Sequence, residues 1–317
     1  MDSGNLPKFS IVIPTHNRYD KLRNLIFFIE KSRPSNLAEI IVVDDSEVKE
    51  NVSSLSNSLD IRTIQIDERI FISKAKNIGI SEANCEIIFF IDDDNQVDES
   101  TFYFPIKILK ENGDVGAVFP SVLYSKDKRM VWVYATPFRK DKWGHELLGR
   151  NQPRSPHFEN RLINIDALPN AFVARKKALL QVGGFNENLP IYNSAYLALS
   201  LKENKWKVVA HTGSFIFHDV ELPSRFGYWA EHEIPDAERV RIEIKDWITF
   251  MKIVHVNESL FALRAILKSS SFIIPNSIAY LLRGRKMRFT LIKKEISGLI
   301  EGLKTSKKTP DWIIPKI

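Results

Sequence analysis

The sequence predicts an α/β fold, with a mostly parallel central sheet followed by a helical extension. Three observations carry this. Short apolar runs alternate with helical spacings through the first hundred or so residues. Residues 40–43 and 87–91 are apolar at every position, as in strands covered on both faces. Beyond Glu238 the strand signals give way to basic amphipathic helices.

Taken in order, residues 9–13 form a short strand stopped by Pro14, and 20–32 place Leu22, Leu25, Ile26 and Ile29 at helical spacing. Residues 39–43 are a second strand, running into Asp44-Asp45-Ser46. A third strand covers 61–66, a helix 72–82, and a fourth strand 87–91. From 115 to 134 the pattern turns to strands with larger aromatics. Residues 140–164, with Pro153 and Pro156, are polar and predict a long loop over the sheet, the kind of loop that commonly carries function. A helix over 174–182 is closed by Gly183-Gly184, a second helix covers 195–204, and strands follow at 207–210 and 214–217. Basic helices are predicted over 240–254, 260–267, 278–282 and 291–303. The expected division is residues 1–236 for the α/β domain and 237–317 for the extension.

A hydrophobic content of 44% with 26% charged residues is soluble globular composition. The single cysteine, Cys85, excludes an internal disulfide framework and a multi-cysteine zinc site, and is expected as a small core residue. Residues 1–8 contain no apolar signal segment. The longest apolar candidate, 260–282, is broken by Arg264, Lys268 and Pro275, so no span of about 18 residues is present. A cytoplasmic protein is expected. Residues 237–317 hold 16 Lys and Arg against 7 Asp and Glu, about +9 of a chain whose net charge is +6, so the positive charge belongs to the extension.

The fourth strand runs without interruption into Asp92-Asp93-Asp94. Open parallel sheets bind ligands at the carboxyl ends of their strands, and adjacent carboxylates repel unless something neutralises them. A divalent cation with hard oxygen ligands does so, and it would in turn hold a phosphorylated substrate. If strand geometry persists through the triad, Asp92 and Asp94 face one side and Asp93 the other. A solvated acidic turn is the alternative.

Four segments in order over about 80 residues resemble the nucleotide-sugar-dependent family 2 glycosyltransferases. They are Ile13-Pro14-Thr15-His16-Asn17-Arg18, Val42-Val43-Asp44-Asp45-Ser46, Ala75-Lys76-Asn77-Ile78-Gly79 and Phe90-Ile91-Asp92-Asp93-Asp94. A weaker likeness continues through Val182-Gly183-Gly184-Phe185-Asn186-Glu187. The resemblance implies a Rossmann-like glycosyltransferase A fold, a hexosyl- or deoxyhexosyltransferase activity with inversion, and a Mg2+ or Mn2+ cofactor. It also implies residue roles. Pro14, Thr15 and Asn17 shape the loop under the nucleotide, with Arg18 beside it, while Asp44 and Asp45 meet base and ribose. Lys76 and Asn77 lie by the diphosphate, Asp93 faces sugar or ribose, and Asp92 and Asp94 hold the metal. His218, after a short apolar strand, is a further metal ligand or else a buried structural histidine. Asp44-Asp45-Ser46 has a bland alternative as a turn and cap, and Lys76 as a solvated lysine, because lysine lacks the arginine fork.

One departure stands out. Relatives carry an acidic pair near the start of the helix after the double glycine, and this chain has Asn193-Ser194 there. Neither side chain serves as a general base near neutral pH. Glu187, Asp166 and Asp219 are the substitutes. A non-catalytic nucleotide-sugar-binding partner of an active transferase is the rival function.

The basic helices, with the cluster Arg283-Gly284-Arg285-Lys286-Met287-Arg288, suit the surface of an anionic membrane. Peripheral attachment at the inner face of the cell membrane is therefore expected, with a glycan or polyprenyl-linked acceptor. A helical cap with a solvated basic face is the alternative. No nucleic-acid motif accompanies the charge, so nucleic acid is not an expected partner.

Overall fold

The computed structural model describes residues 6–32, 34–222, 237–255, 260–270 and 288–305. The helix expected over 278–282 and residues 283–287 of the cationic cluster lie outside them. The chain forms two units, Met1–Glu187 with Asn193–Pro223, and Asn188–Tyr192 with Ser224–Ile317.

In the first unit β1 (Phe9–Thr15), β2 (Leu37–Asp44), β3 (Ile61–Gln65) and β4 (Ile87–Ile91) are parallel, in the order β3-β2-β1-β4. The connections include α1 (Tyr19–Ser32) and α2 (Phe71–Glu82). β1 and β4 are buried along their whole length, as uninterrupted apolar runs require. Strand β1 does not stop at Pro14 but continues to Thr15, still paired with β2. Proline is tolerated there because β4 pairs only with residues 10–12 of β1, so no ladder bond is asked of the missing N–H on that side.

The sheet continues past β4 through β11 (Ala171–Arg175), β6 (Val115–Tyr124), β12 (Lys207–His218) and β10 (Leu162–Asn164). Strand β11 is antiparallel to both β4 and β6, and β12 runs parallel to β6. Residues 171–175 therefore correct the expected helix over 174–182, which is confined to α4 (Lys176–Gln181). A short apolar run with two alanines satisfies helix or strand spacing; pairing on both sides decides for strand. The two strands expected at 207–217 are one, bulged between His211 and Phe215. Short β5 (Asn95–Val97) pairs with the end of β12, and β7 (Val131–Val133) with β6. Between β4 and β6, α3 (Glu99–Glu111) starts at a capping box of Asp98 and Thr101. The polar stretch 140–164 is more ordered than expected, its β9 (Gly144–His145) forming a small hairpin with β8 (Phe138–Arg139) just before it. Cys85 is half-buried rather than a core residue. Helix α5 (Asn193–Glu203) closes the unit.

In the second unit α6 (Ala237–Val254) packs against α8 (Arg288–Lys304), with α7 spanning 261–270 between them in sequence. Gly298 and Gly302 permit the approach of α6 and α8. A Cβ on Gly298 would stand 2.4 Å from the Arg241 carbonyl oxygen, and one on Gly302 2.8 Å from Ile248 Cβ. Asp246 of α6, fully buried, accepts a hydrogen bond of 2.9 Å from the Ile191 backbone N–H, which ties residues 188–192 to this unit. Among the described residues no helix is long and apolar enough to cross a membrane.

Candidate active site

Strand β4 ends at Ile91, and the chain turns at Asp93-Asp94. The Asn95 side-chain amide donates to the Asp92 carbonyl oxygen (2.8 Å) and closes the turn. The alternation expected of a continuing strand is therefore lost, and each carboxylate takes its own surroundings. This turn meets the end of β12, where His218 pairs with Asn95 and the Asp219 N–H donates to the Asp94 carbonyl oxygen at 2.9 Å.

Asp93 is fully buried beneath the β1 end. Thr15 Oγ1 donates to its Oδ2 at 2.8 Å, Arg18 Nε donates to the same oxygen at 3.2 Å, and Arg18 Nη2 pairs with Oδ1. Burial pushes the carboxyl up to about 7, against the pull of Arg18 and the Thr15 hydrogen bond. Arg18 also reaches Asp94, with Nη1 3.1 Å from Oδ2. Burial works against the guanidinium, yet the charges of Asp93, Asp94 and Asp92 hold it above its ordinary value. On the other side of Asp94, His218 Nε2 stands 3.6 Å from Oδ1, beyond hydrogen-bond reach. Burial raises the Asp94 carboxyl, but His218 and Arg18 prevail and leave it below the usual carboxylate range.

Asp92 has a different partner. Its Oδ1 lies 2.9 Å from Nζ of Lys76, a lysine only 4% exposed, which also lies over the Phe185 ring. Next to it on α2, Asn77 uses its whole amide. It donates to the Phe185 carbonyl (3.0 Å) and to Glu187 Oε1 (2.9 Å), and it accepts from the Phe185 N–H (2.8 Å). Gly184 must be glycine here, because its φ is +74° and a Cβ would stand 2.5 Å from Asn77 Oδ1.

At the β2 end Asp44 is fully buried and internally satisfied, accepting from the Tyr19 hydroxyl (2.6 Å) and the Ser46 N–H (2.9 Å). Asp45 contacts the His16 ring at 3.0 Å and accepts from the Ile70 N–H at 2.9 Å. Asn17, at φ +53°, bridges the two loops, with its N–H donating to Ser46 Oγ (2.8 Å) and its Oδ1 accepting from the Glu47 N–H (3.1 Å). Pro14 lies within β1.

Of the substitute bases, Asp219 is paired with Lys21 and accepts from Ser125 Oγ (3.3 Å); the Lys21 hydrogen bond holds its carboxyl below the usual range. Asp166 is paired with Lys202 and accepts from the Phe138 N–H (2.8 Å), partners that belong neither to the triad nor to its neighbours. Glu187 is exposed and is held by the neutral Asn77. Helix α5 opens on Asn193-Ser194 without a carboxylate in its first turn.

Sequence reasoning missed Tyr19 and Lys21, which anchor Asp44 and Asp219, and gave Ser46, which anchors Asn17, no role beyond a turn and cap. It undervalued His16, which meets Asp45. Tyr19 and Lys21 follow the first motif by one and three positions and Ser46 ends the second, so proximity in sequence was a usable signal for these residues but not for their partners. The Lys21–Asp219 pair spans the chain and had none.

A mostly parallel sheet bearing a charged acidic turn at its carboxyl edge defines a protein of the glycosyltransferase A fold. Residues 10–179, more than half of the chain, match the model of glycosyl transferase family 2, and the chain belongs to that family. It is similar to the poly(ribitol-phosphate) β-N-acetylglucosaminyltransferase TarS of Staphylococcus aureus, with 26% identity over 99 residues, covering 30% of this chain and 17% of that protein. Polypeptide N-acetylgalactosaminyltransferase 12 of Mus musculus is 34% identical over 98 residues, covering 29% of this chain and 17% of its own. The matches thus span only about a sixth of those relatives' length. Among solved structures, the mannosyltransferase PcManGT of Pyrobaculum calidifontis, in complex with GDP-Man and Mn2+, superposes with a TM-score of 0.56 at 14% identity, over 94% of this chain and 88% of its own. TarS residues 1–349 in complex with UDP give a TM-score of 0.52 at 16% identity, over 93% and 89%. At these identities the superpositions speak for the fold.

Proposed function

We propose that this chain transfers a sugar from a nucleoside diphosphate sugar to a hydroxyl of a glycan or lipid-linked glycan, with inversion and with Mg2+ or Mn2+ as cofactor. Residues 1–236 are assigned to this catalysis and 237–317 to the extension. The observation that carries the proposal is the convergence of Asp94 and His218 at the sheet's carboxyl edge, with Arg18 gripping Asp93 beside them.

The donor set fits a divalent cation. Two ligand atoms at about 2.1 Å from one ion stand about 3 Å apart, and the Asp94–His218 separation of 3.6 Å is close to that without being a hydrogen bond. His218 Nδ1 and Asn95 Oδ1 beside them are buried without a hydrogen-bond partner among the described residues. No group of three acid, histidine or cysteine side chains could hold a metal among the described residues. The protein would then supply Asp94 and His218 and leave other positions to phosphate oxygens and water. Such a cation offsets the charge that gathers on a departing nucleoside diphosphate.

Other residues act on the donor through this chain's own geometry. Lys76, 2.9 Å from Asp92 Oδ1, already offsets the charge of Asp92, so the assignment favours Asp94 over Asp92 as the carboxylate ligand. Asp44, with both oxygens committed, shapes the base pocket, and Asp45 lies at its wall. For the acceptor, Glu187 is the proposed general base. Asp219 and Asp166 are paired with lysines, whereas the Glu187 carboxylate keeps an oxygen for a hydroxyl proton. Its link to Asn77, next to Lys76 on α2, ties it to the acidic turn. The relatives' names make an N-acetylhexosamine the first donor to try.

The test is metal-dependent release of nucleoside diphosphate from a panel of nucleotide sugars, with and without mixed glycan acceptors. Turnover that chelation abolishes supports the proposal. Tight donor binding with neither transfer nor hydrolysis in any combination overturns it in favour of a binding partner that has lost its base at Asn193-Ser194.

A further inference from the structure

Of the twelve large apolar side chains that stand exposed among the described residues, six belong to the smaller, second unit, and four of these fall on one short stretch. Leu260 is 62% exposed, Leu263 54%, Ile266 42% and Leu267 62%. At 100° per residue these four cover an arc of about 120°, counting Leu260 as the residue just before α7 whose carbonyl accepts from the Arg264 N–H. The opposite side is buried, carrying Phe261, Ala265 and Ser269 at 5%, 0% and 0% exposure. Helix α7 is thus satisfied on its inner face and presents a second apolar face outward. A soluble surface seldom leaves such a stripe without use.

The charges beside it indicate what covers it. Arg264 and Lys268, four residues apart and both exposed, flank the apolar arc on one side. They belong to a segment, residues 237–317, with 16 Lys and Arg against 7 Asp and Glu. A second copy of the chain is a poorer match, because an antiparallel two-fold contact would set these cations against one another and any such contact leaves them without opposite charge from the same face. A surface that offers apolar depth behind a layer of negative charge satisfies both halves at once.

We infer that the outer face of α7 docks on an anionic lipid bilayer, with Leu260, Leu263, Ile266 and Leu267 entering the acyl boundary and Arg264 and Lys268 at the headgroups. This placement would bring the transferase to a lipid-linked acceptor and in that respect rests on the proposed function. The docking itself needs neither donor nor turnover.

The test is flotation of the full chain with phosphatidylcholine vesicles, with and without roughly 30% phosphatidylglycerol, at low and high salt. The wild type should float with the anionic vesicles, less so at high salt. R264Q/K268Q should partition about twenty-five-fold more weakly, since each cation near the surface contributes about five-fold. L263S/L267S should bind at least about ten-fold more weakly, with unaltered circular dichroism and unaltered nucleoside diphosphate binding. L263E/L267E serves as a second variant of the apolar face. Failure of the wild type to float, equal flotation with neutral vesicles, or wild-type partitioning by the leucine variants would each overturn the inference. So would a concentration-dependent dimer that L263S/L267S abolishes in a chain that binds no vesicle. Absence of transferase activity from a wild type that floats would instead count against the proposed function alone.

Discussion

Gly79 sits on α2 where the helix crosses β1, and the spacing of the two elements depends on it. A Cβ at this position would stand 2.2 Å from Cγ1 and 2.9 Å from Cγ2 of Val12, which is itself fully buried. Ordinary carbon contacts lie at about 3.5–4.0 Å, so Gly79→Ala demands about 1.5 Å of movement between helix and strand. Overpacking of this kind costs about 1–3 kcal/mol, and a clash against a β-branched core residue belongs at about 3. Alanine returns about 1 kcal/mol of helix propensity. The net expectation is a loss of about 2 kcal/mol, or about 4–8 °C in Tm for a unit of this size. Adding Val12→Ala removes both clashing carbons, so Gly79→Ala should be neutral or stabilising in that background, with a coupling of about 2 kcal/mol or more. Because Lys76 and Asn77 ride on the same helix, their bonds to Asp92, Phe185 and Glu187 should loosen, and nucleoside diphosphate affinity should fall in Gly79→Ala and return in the double variant. Thermal unfolding and titration calorimetry measure the two effects. A Gly79→Ala chain that melts within about 1 °C of wild type, or a Val12→Ala background that gives no relief, would refute the packing account.

Three further outcomes are expected. Asp94→Asn and His218→Ala should each weaken Mn2+ binding, followed by calorimetry in the presence of nucleoside diphosphate, by at least about ten-fold; unchanged affinity in both would remove them as ligands. Glu187→Gln should lower kcat by about 100-fold or more while leaving donor-product affinity nearly as it was, and undiminished turnover would return the search for a base to other carboxylates. Burial lowers the His211 imidazole to about 4. The unfolded chain therefore binds a proton that the folded chain refuses as pH falls from about 6.5 to about 4, and stability should drop by up to about 3 kcal/mol across that window. Denaturant titrations of His211→Gln should lack this contribution, and a wild-type slope in the variant would contradict it.

Much of the α/β frame was legible because buried parallel strands leave uninterrupted apolar runs, and because turns and caps use few residue types. β4 and the acidic turn after it were visible for both reasons. Strand β11 was not, since its run Ala171-Phe172-Val173-Ala174 suits helix or strand and only pairing with β4 and β6 selects one. The stop assigned to Pro14 failed for a related reason: whether a proline ends a strand depends on which neighbour needs its N–H, which is a property of the sheet.

The same division runs through the candidate site. By itself the sequence determined that acids gather at strand ends, that the chain carries the family's four segments, and that the acidic pair is absent at Asn193-Ser194. These are matters of residue type and order along the chain. Only the tertiary structure decided how the three aspartates differ. Asp92 goes to Lys76 and Asp93 to Thr15 and Arg18, while Asp94 stands between Arg18 and His218. These partners come from positions as distant as the β1 end and the β12 end. A carboxylate's role depends on the charge, burial and hydrogen bonds around it, and here those are supplied by distant segments that meet only in the folded chain.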